Sequence, residues 1–267
     1  MRPMRNNGRI QIKSPLYRCV PLLLSAFLLE TAAAADPAPA VGVHDPHIIK
    51  HKDEYFIFAT GGRRNLIQTL RSLDLIHWQP AGTVFSSLPD WIAEQIPGCR
   101  NLWAPDVHFI NGRYCVYYSA STFGSQRSLI GLVANQTLDP ADPNYAWIDE
   151  GKVIESQPGM DFNAIDAGIV TDADGRLWMT FGSHWKGIYL FELNPKTGKS
   201  LHDPPKPKCI ARRPGQHAVE APCITYRSGY YYLFVSFDQC CRGAESTYNI
   251  RLGRSALITG PYLDADG

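Results

Sequence analysis

Short apolar stretches alternate with turn signals along most of this chain, and helical spacing is nearly absent. One arrangement returns four times. An acid leads a short apolar run in His44-Asp45-Pro46-His47-Ile48-Ile49, Trp103-Ala104-Pro105-Asp106-Val107-His108, Ile165-Asp166-Ala167-Gly168-Ile169-Val170 and Val219-Glu220-Ala221-Pro222-Cys223-Ile224. A turn signal follows each run: Lys52-Asp53, Asn111-Gly112, Asp174-Gly175 and Ser228-Gly229. Aromatic, β-prone strands come next, at Tyr55–Phe58, Tyr114–Tyr118, Leu177–Phe181 and Tyr230–Val235. The leading acids sit at 45, 106, 166 and 220, so the separations are 61, 60 and 54 residues. A nearly constant period of this length predicts radial β-units. Hairpins led by an innermost strand and repeated around an axis make a β-propeller. The leading acids are then expected to converge on one central funnel.

Between these cores lie the outer elements. Ser72 to Trp78 predicts a turn into an outer strand, with Trp78 packing between blades. Residues 86–100 form a loop with a short helix around Trp91 to Gln95. Ser119 to Ser125 is a polar, small-residue loop at a strand end, the place where ligand surfaces concentrate. The expected organisation is a signal peptide over 1–35, an Ala/Pro linker over 36–42 and a propeller domain over 43–267. A fifth leading residue would fall near 274–281, so the C-terminal blade is expected to be missing.

The N-terminus sets the compartment. Arg2, Arg5, Arg9, Lys13 and Arg18 precede an apolar run from Val20 to Leu29, and Ala33-Ala34-Ala35 offers a small-residue cleavage site. That pattern predicts a secreted protein with no membrane attachment after cleavage; the rival reading is an uncleaved anchor. Five of the 26 Lys+Arg and one of the 25 Asp+Glu lie in residues 1–35, which leaves 21 and 24, net −3. No basic patch remains, so nucleic acid is an unfavoured partner. Cys99, Cys115, Cys209, Cys223, Cys240 and Cys241 fit no zinc spacing. Cys115 and Cys223 read as buried small apolar residues. Separate fates are expected for Cys240 and Cys241, because pairing of neighbours is strained.

Asp45, Asp166 and Glu220 each stand in apolar sequence, where an acid is costly unless solvated, paired or used. Any one of them reads first as a turn residue; several at repeat positions point to a shared site. Clustered carboxylates either bind a cation or hydrolyse a glycosidic bond. Hydrolysis needs one protonated acid and one ionised base or nucleophile. Repulsion and burial separate the two pKa values. Trp103, Phe123 and Trp185 are candidates to stack on sugar faces.

The stretches His44-Asp45-Pro46, Leu102-Trp103-Ala104-Pro105-Asp106, Phe123-Gly124-Ser125, Asn163-Ala164-Ile165-Asp166, Phe181-Gly182-Ser183-His184-Trp185, Val219-Glu220-Ala221-Pro222 and Ser246-Thr247-Tyr248-Asn249-Ile250-Arg251 resemble glycoside hydrolase family 43, most closely its endo-α-1,5-L-arabinanases. The resemblance covers residues 43–267. It implies an all-β, five-bladed propeller, here with about four blades, and an inverting mechanism on arabinan, the pectin side chain. It makes Asp45 the general base, Glu220 the general acid and Asp166 the residue that raises the acid's pKa. It places substrate contacts at Trp103, Phe123, Gly124, Asn163, Ala164, Ile165, Ser183, His184 and Trp185. Inversion implies Asp45 and Glu220 carboxyls roughly 6.5–9.5 Å apart. The family's central calcium, or similar cation, is held by a histidine of the fifth blade. That segment is absent here, so calcium stays a possibility and no metal ligand is assigned. Exo-acting α-L-arabinofuranosidase, β-xylosidase and an inactive sugar-binding propeller remain alternatives.

Overall fold

A computed structural model describes residues 42–62, 66–215 and 218–267. The expected signal segment and almost all of the linker lie outside the described residues. Four antiparallel sheets form in chain order. The first holds β1 (His44–His51), β2 (Glu54–Thr60), β3 (Leu66–Ser72) and β4 (Gln79–Phe85). The second holds β5 (Leu102–Ile110), β6 (Arg113–Ala120), β7 (Ser128–Asn135) and β8 (Ile148–Ser156). The third holds β9 (Gly168–Thr171), β10 (Leu177–Phe181), β11 (Ile188–Leu193) and β12 (Lys208–Ala211). The fourth holds β13 (Val219–Arg227), β14 (Tyr230–Phe237) and β15 (Asn249–Ser255). The leading strands β1, β5, β9 and β13 adjoin one another, which makes the arrangement a four-bladed propeller.

Local chemistry explains the hairpins. Asn111-Gly112 and Ser228-Gly229 both take positive φ at both positions, 49° and 79°, then 50° and 84°. Two left-handed residues match the right-handed twist of the flanking strands. At the Asp174-Gly175 turn the Asp172 carboxylate accepts from the Asp174 and Arg176 amides, at 3.0 and 2.9 Å.

Blade packing follows from alternation along the middle strands. Tyr114, Val116 and Tyr118 of β6 enter a core shared with Phe56, Phe58 and Leu66 of the first blade. Cys115 and Tyr117, on the other face, enter a core with Met179, Phe181 and Tyr189 of the third. Trp178 of β10 joins Tyr231, Leu233 and Val235 of β14 in the next interface. A middle strand buried on both faces reads as a continuous apolar run, which is how β6 and β10 read. The expected short helix is α1 (Asp90–Gln95), held on the first core by the fully buried Ile92. The far face of the fourth sheet leaves Tyr230, Phe234, Ile250 and Leu252 exposed.

Three expectations fail. Trp78 does not enter a blade interface; it is half-buried, and its indole N–H donates to Leu75 O across the turn it ends. Cys223 is exposed, because its position on β13 faces away from the core that holds Ile224. Cys240 and Cys241 are bridged to each other, at a turn where Cys241 takes φ 64°.

Gly168 starts β9 where it abuts β13. A Cβ there would run into the Pro222 carbonyl, with Thr180 Cγ2 3.1 Å away on the other side. Backbone cannot yield as a flexible side chain does. Gly168→Ala is therefore expected to cost about 1–3 kcal/mol, read by thermal unfolding.

Candidate active site

The site is built by a repeated irregularity. In β1, β5 and β13 the ladder slips by one residue near the strand start, between His44 and His47, Trp103 and Asp106, and Glu220 and Cys223. Each slip is a β-bulge, which bends the strand and re-aims a side chain. At each one a non-glycine residue takes positive φ: Asp45 at 47°, Ala104 at 43° and Ala221 at 54°. Asp166, just ahead of β9, does the same at 60°. Such residues cost of order 1–3 kcal/mol each and persist only where the surroundings enforce them. Pro46, Pro105 and Pro222 follow three of them; a residue without an N–H suits a place where the ladder is interrupted.

These angles correct the sequence register. Asp45, Ala104, Asp166 and Ala221 are the equivalent positions. Glu220 stands one residue before its bulge residue, and Asp106 two residues beyond. The four leading acids are thus not copies of one position, and Asp106 does not join the other three.

Each of those three is held by a neighbouring blade or strand. Thr60 Oγ1 donates to Asp45 Oδ2 at 2.7 Å and accepts from the Ala104 amide at 2.8 Å, which ties the first blade to the second. His44 Nε2 lies 3.5 Å from Asp45 Oδ1. The Asp166 amide donates to Ser119 Oγ at 3.0 Å, tying the third blade to the second. The Ala221 amide donates to Asp166 Oδ2 at 3.2 Å, tying the fourth to the third. Ser183 Oγ donates to Glu220 Oε2 at 2.6 Å, and His184 Nε2 lies 3.6 Å from the same oxygen.

Asp166 is electrostatically the most perturbed of the three. Burial raises its pKa well above the usual carboxylate range, and the charges of Glu220 and then Asp45 add to that. Its one opposing bond comes from the Ala221 amide. Three carboxyls close enough to repel cannot all ionise together.

The expected substrate contacts fall into two groups. Phe123 is 84% exposed on the Ser119–Ser125 loop, beside Gly124 at φ 75°, and Trp103, His184 and Trp185 are half-buried. Ser183 and His184 meet Glu220 directly. Asn163, Ala164 and Ile165 are buried and support the site from behind. Asn163 Oδ1 accepts from Ser156 Oγ at 3.3 Å, and Ile165 O accepts from the Gly182 amide at 2.9 Å. Thr60 and Ser119 carry positioning roles that sequence did not single out. Thr60 ends β2 opposite His44, and Ser119 is the last residue but one of β6.

Asp106 belongs to a second cluster, with His47 and His108. His108 Nε2 lies 2.6 Å from Asp106 Oδ1 and His47 Nε2 lies 3.9 Å from Oδ2, with the two rings stacked at 5.2 Å. Burial opposes charge on His108, yet the Asp106 carboxylate outweighs it and lifts the imidazole. Burial likewise opposes ionisation of Asp106, and the two imidazoles outweigh it. Calcium takes six to eight oxygen ligands. Two imidazoles and one carboxylate do not match that demand. The Val107 amide donates to His47 Nδ1 at 2.9 Å, so the neutral ring carries its proton on Nε2. A protonated nitrogen does not ligate a metal. This donor set does not suit calcium, and it is not the fifth-blade histidine to which the resemblance assigned that ion.

A trio of carboxyls at the leading ends of propeller strands, one of them held protonated, defines a glycosidase-type acid/base site. Residues 35–267 match glycosyl hydrolases family 43. The chain belongs to that family and is a glycoside hydrolase. It is 40% identical over 256 residues to an extracellular exo-α-(1→5)-L-arabinofuranosidase of Cellvibrio japonicus, covering 91% of this chain and 73% of that one. It is 41% identical over 255 residues to extracellular endo-α-(1→5)-L-arabinanase 1 of Bacillus subtilis, covering 91% and 76%. The α-L-arabinanase of Cellvibrio cellulosa complexed with arabinohexaose superimposes with TM-score 0.78 at 39% identity, over 85% of this chain and 75% of that one.

The Asp166 shift has a pH signature. A raised folded pKa means that the fold favours the protonated carboxyl; that contribution is full below the ordinary carboxylate pKa and is lost as pH rises through the folded value. Asp166→Asn keeps a neutral side chain at every pH. It is expected to raise Tm at pH 7 by about 2–4 °C, on the order of 1 kcal/mol for a domain of this size. The gain should shrink toward pH 4. Calorimetry across that range checks both signs.

Proposed function

We propose that this chain is a secreted enzyme that cleaves internal α-1,5-L-arabinofuranosidic bonds of arabinan with inversion at the anomeric carbon. Asp45 serves as general base. Its carboxylate takes a hydrogen bond from Thr60, which fixes its orientation and leaves its other oxygen to orient and deprotonate a water. Glu220 serves as general acid and protonates the leaving oxygen. Asp166 positions that acid: its carboxyl, pinned by the Ala221 amide, fixes the strand that carries Glu220. Phe123, Trp103 and Trp185 provide aromatic faces for successive arabinofuranosyl rings.

The observation that carries this proposal is the grip on Glu220. Ser183 holds its carboxyl at 2.6 Å, beside an acid whose proton is retained by burial. A carboxyl placed there is held in one orientation, which proton donation to a leaving oxygen needs. The relatives named as extracellular support secretion. Among the described residues no helix is long and apolar enough to cross a membrane.

A second reading has its own support. The Cellvibrio japonicus relative is named as exo-acting and is about as similar as the endo-acting one. Incubation with linear arabinan separates the two: endo action gives a ladder of oligosaccharides early in the reaction, and exo action gives one short product from the start. Glu220→Gln is expected to lower kcat on arabinan by about 10²- to 10⁴-fold while binding of arabino-oligosaccharides persists. Proton NMR of the first-formed sugar should show the inverted anomer. Unchanged turnover in Glu220→Gln, or a retained anomer, contradicts the assignment.

A further inference from the structure

We infer that Tyr248 is a positioning residue for the general acid, donating its phenol O–H to Glu220 and receiving the Ser236 hydroxyl proton in turn. This deepens the reading of Glu220 as proton donor and rests on it. Strand register puts the three residues together. Glu220 of β13 pairs with Ser236 of β14, and Ser236 pairs with Ile250 of β15. Tyr248 stands two residues before Ile250, just ahead of β15. Its phenol reaches both the Glu220 carboxyl and the Ser236 hydroxyl.

The neighbours of Tyr248 hold it still. The Thr247 amide donates to Gln239 O at 3.0 Å, and the Gln239 amide donates back to Thr247 Oγ1 at 3.2 Å. On the other side Asn249 Nδ2 donates to Asp238 Oδ2 at 2.8 Å, and Arg213 secures Asp238 Oδ1 at 2.6 Å. The loop that delivers the phenol is thus closed on itself at both flanks. Burial and the Glu220 charge raise the phenol pKa, so Tyr248 keeps its proton and acts as a donor. With Glu220 as the carboxylate, the chain runs from Ser236 O–H to Tyr248 and from Tyr248 O–H to Glu220. A donor aimed at Glu220 stabilises the carboxylate that remains once the proton has passed to the leaving oxygen. Ser183 approaches the same carboxyl from the third blade, so Glu220 is held from two sides.

The test compares wild type, Tyr248→Phe and Ser236→Ala on arabinan and on an aryl arabinofuranoside, whose leaving group needs little protonation. Losing a hydrogen bond to a charged group should lower kcat on arabinan about tenfold in Tyr248→Phe. The alkaline limb of the kcat profile should move up by about one pH unit. Ser236→Ala should move that limb the same way by less. The aryl substrate should lose little. Equal losses on both substrates with an unmoved limb, in a variant that melts like wild type, would overturn the role of Tyr248. Failure of Glu220→Gln to impair wild-type cleavage would instead overturn the reading beneath it.

Discussion

The active site depends on a backbone conformation that costs energy. Four non-glycine residues at the leading ends of adjoining strands take left-handed angles. What sustains them is a series of hydrogen bonds between successive blades. Thr60 bridges Asp45 to Ala104, Ser119 holds the Asp166 amide, and Asp166 holds the Ala221 amide. Every link joins one blade to the next, so the geometry of the trio belongs to the assembled propeller and to no single hairpin. The apolar interfaces beneath these links keep the strand ends at fixed separation. Close-packed interiors are stiff, which lets small polar contacts above them be exact in position. Strain at the site is maintained by packing elsewhere.

The same geometry separates two kinds of acid. Asp45, Asp166 and Glu220 face one another and have few cations nearby; His44 and His184 stand at 3.5 and 3.6 Å from Asp45 and Glu220. Asp106, two residues past its bulge, is instead gripped by His47 and His108. The environments act in opposite directions. Burial and like charge raise Asp166, whereas the imidazoles hold Asp106 low against burial. One carboxyl is thereby biased toward its protonated form and the other toward its charged form, although both lead a copy of the same repeat. Sequence period alone assigns them the same part.

Much of the fold was legible because its causes are local. The Asn-Gly and Ser-Gly turns, the aromatic middle strands and the return of one pattern after about sixty residues each have a short-range physical origin. The double-sided burial of β6 was visible as an uninterrupted apolar run. The three catalytic candidates were legible as costly acids in apolar surroundings. What was hidden involves partners distant in sequence. Nothing in the words around Thr60 or Ser119 announces that a hydroxyl there will brace an acid or a strand from another blade. Counting acids by type set Asp106 level with Asp45, when the bulge places Ala104 there. The pairing of Cys240 with Cys241 depended on a left-handed turn that sequence did not reveal, and the outward face of Cys223 on a blade interface present on one side only.

The central claim is that inter-blade bonding sets a half-buried Asp166 against two other carboxyls, in surroundings that raise its pKa. Carbon-13 NMR titration of the aspartate side-chain carboxyls tests this directly, with the Asp166 resonance assigned by its disappearance in Asp166→Asn. The account predicts a carboxyl that titrates well above the ordinary aspartate value of about 4. An Asp166 resonance that titrates at or below that value would contradict it.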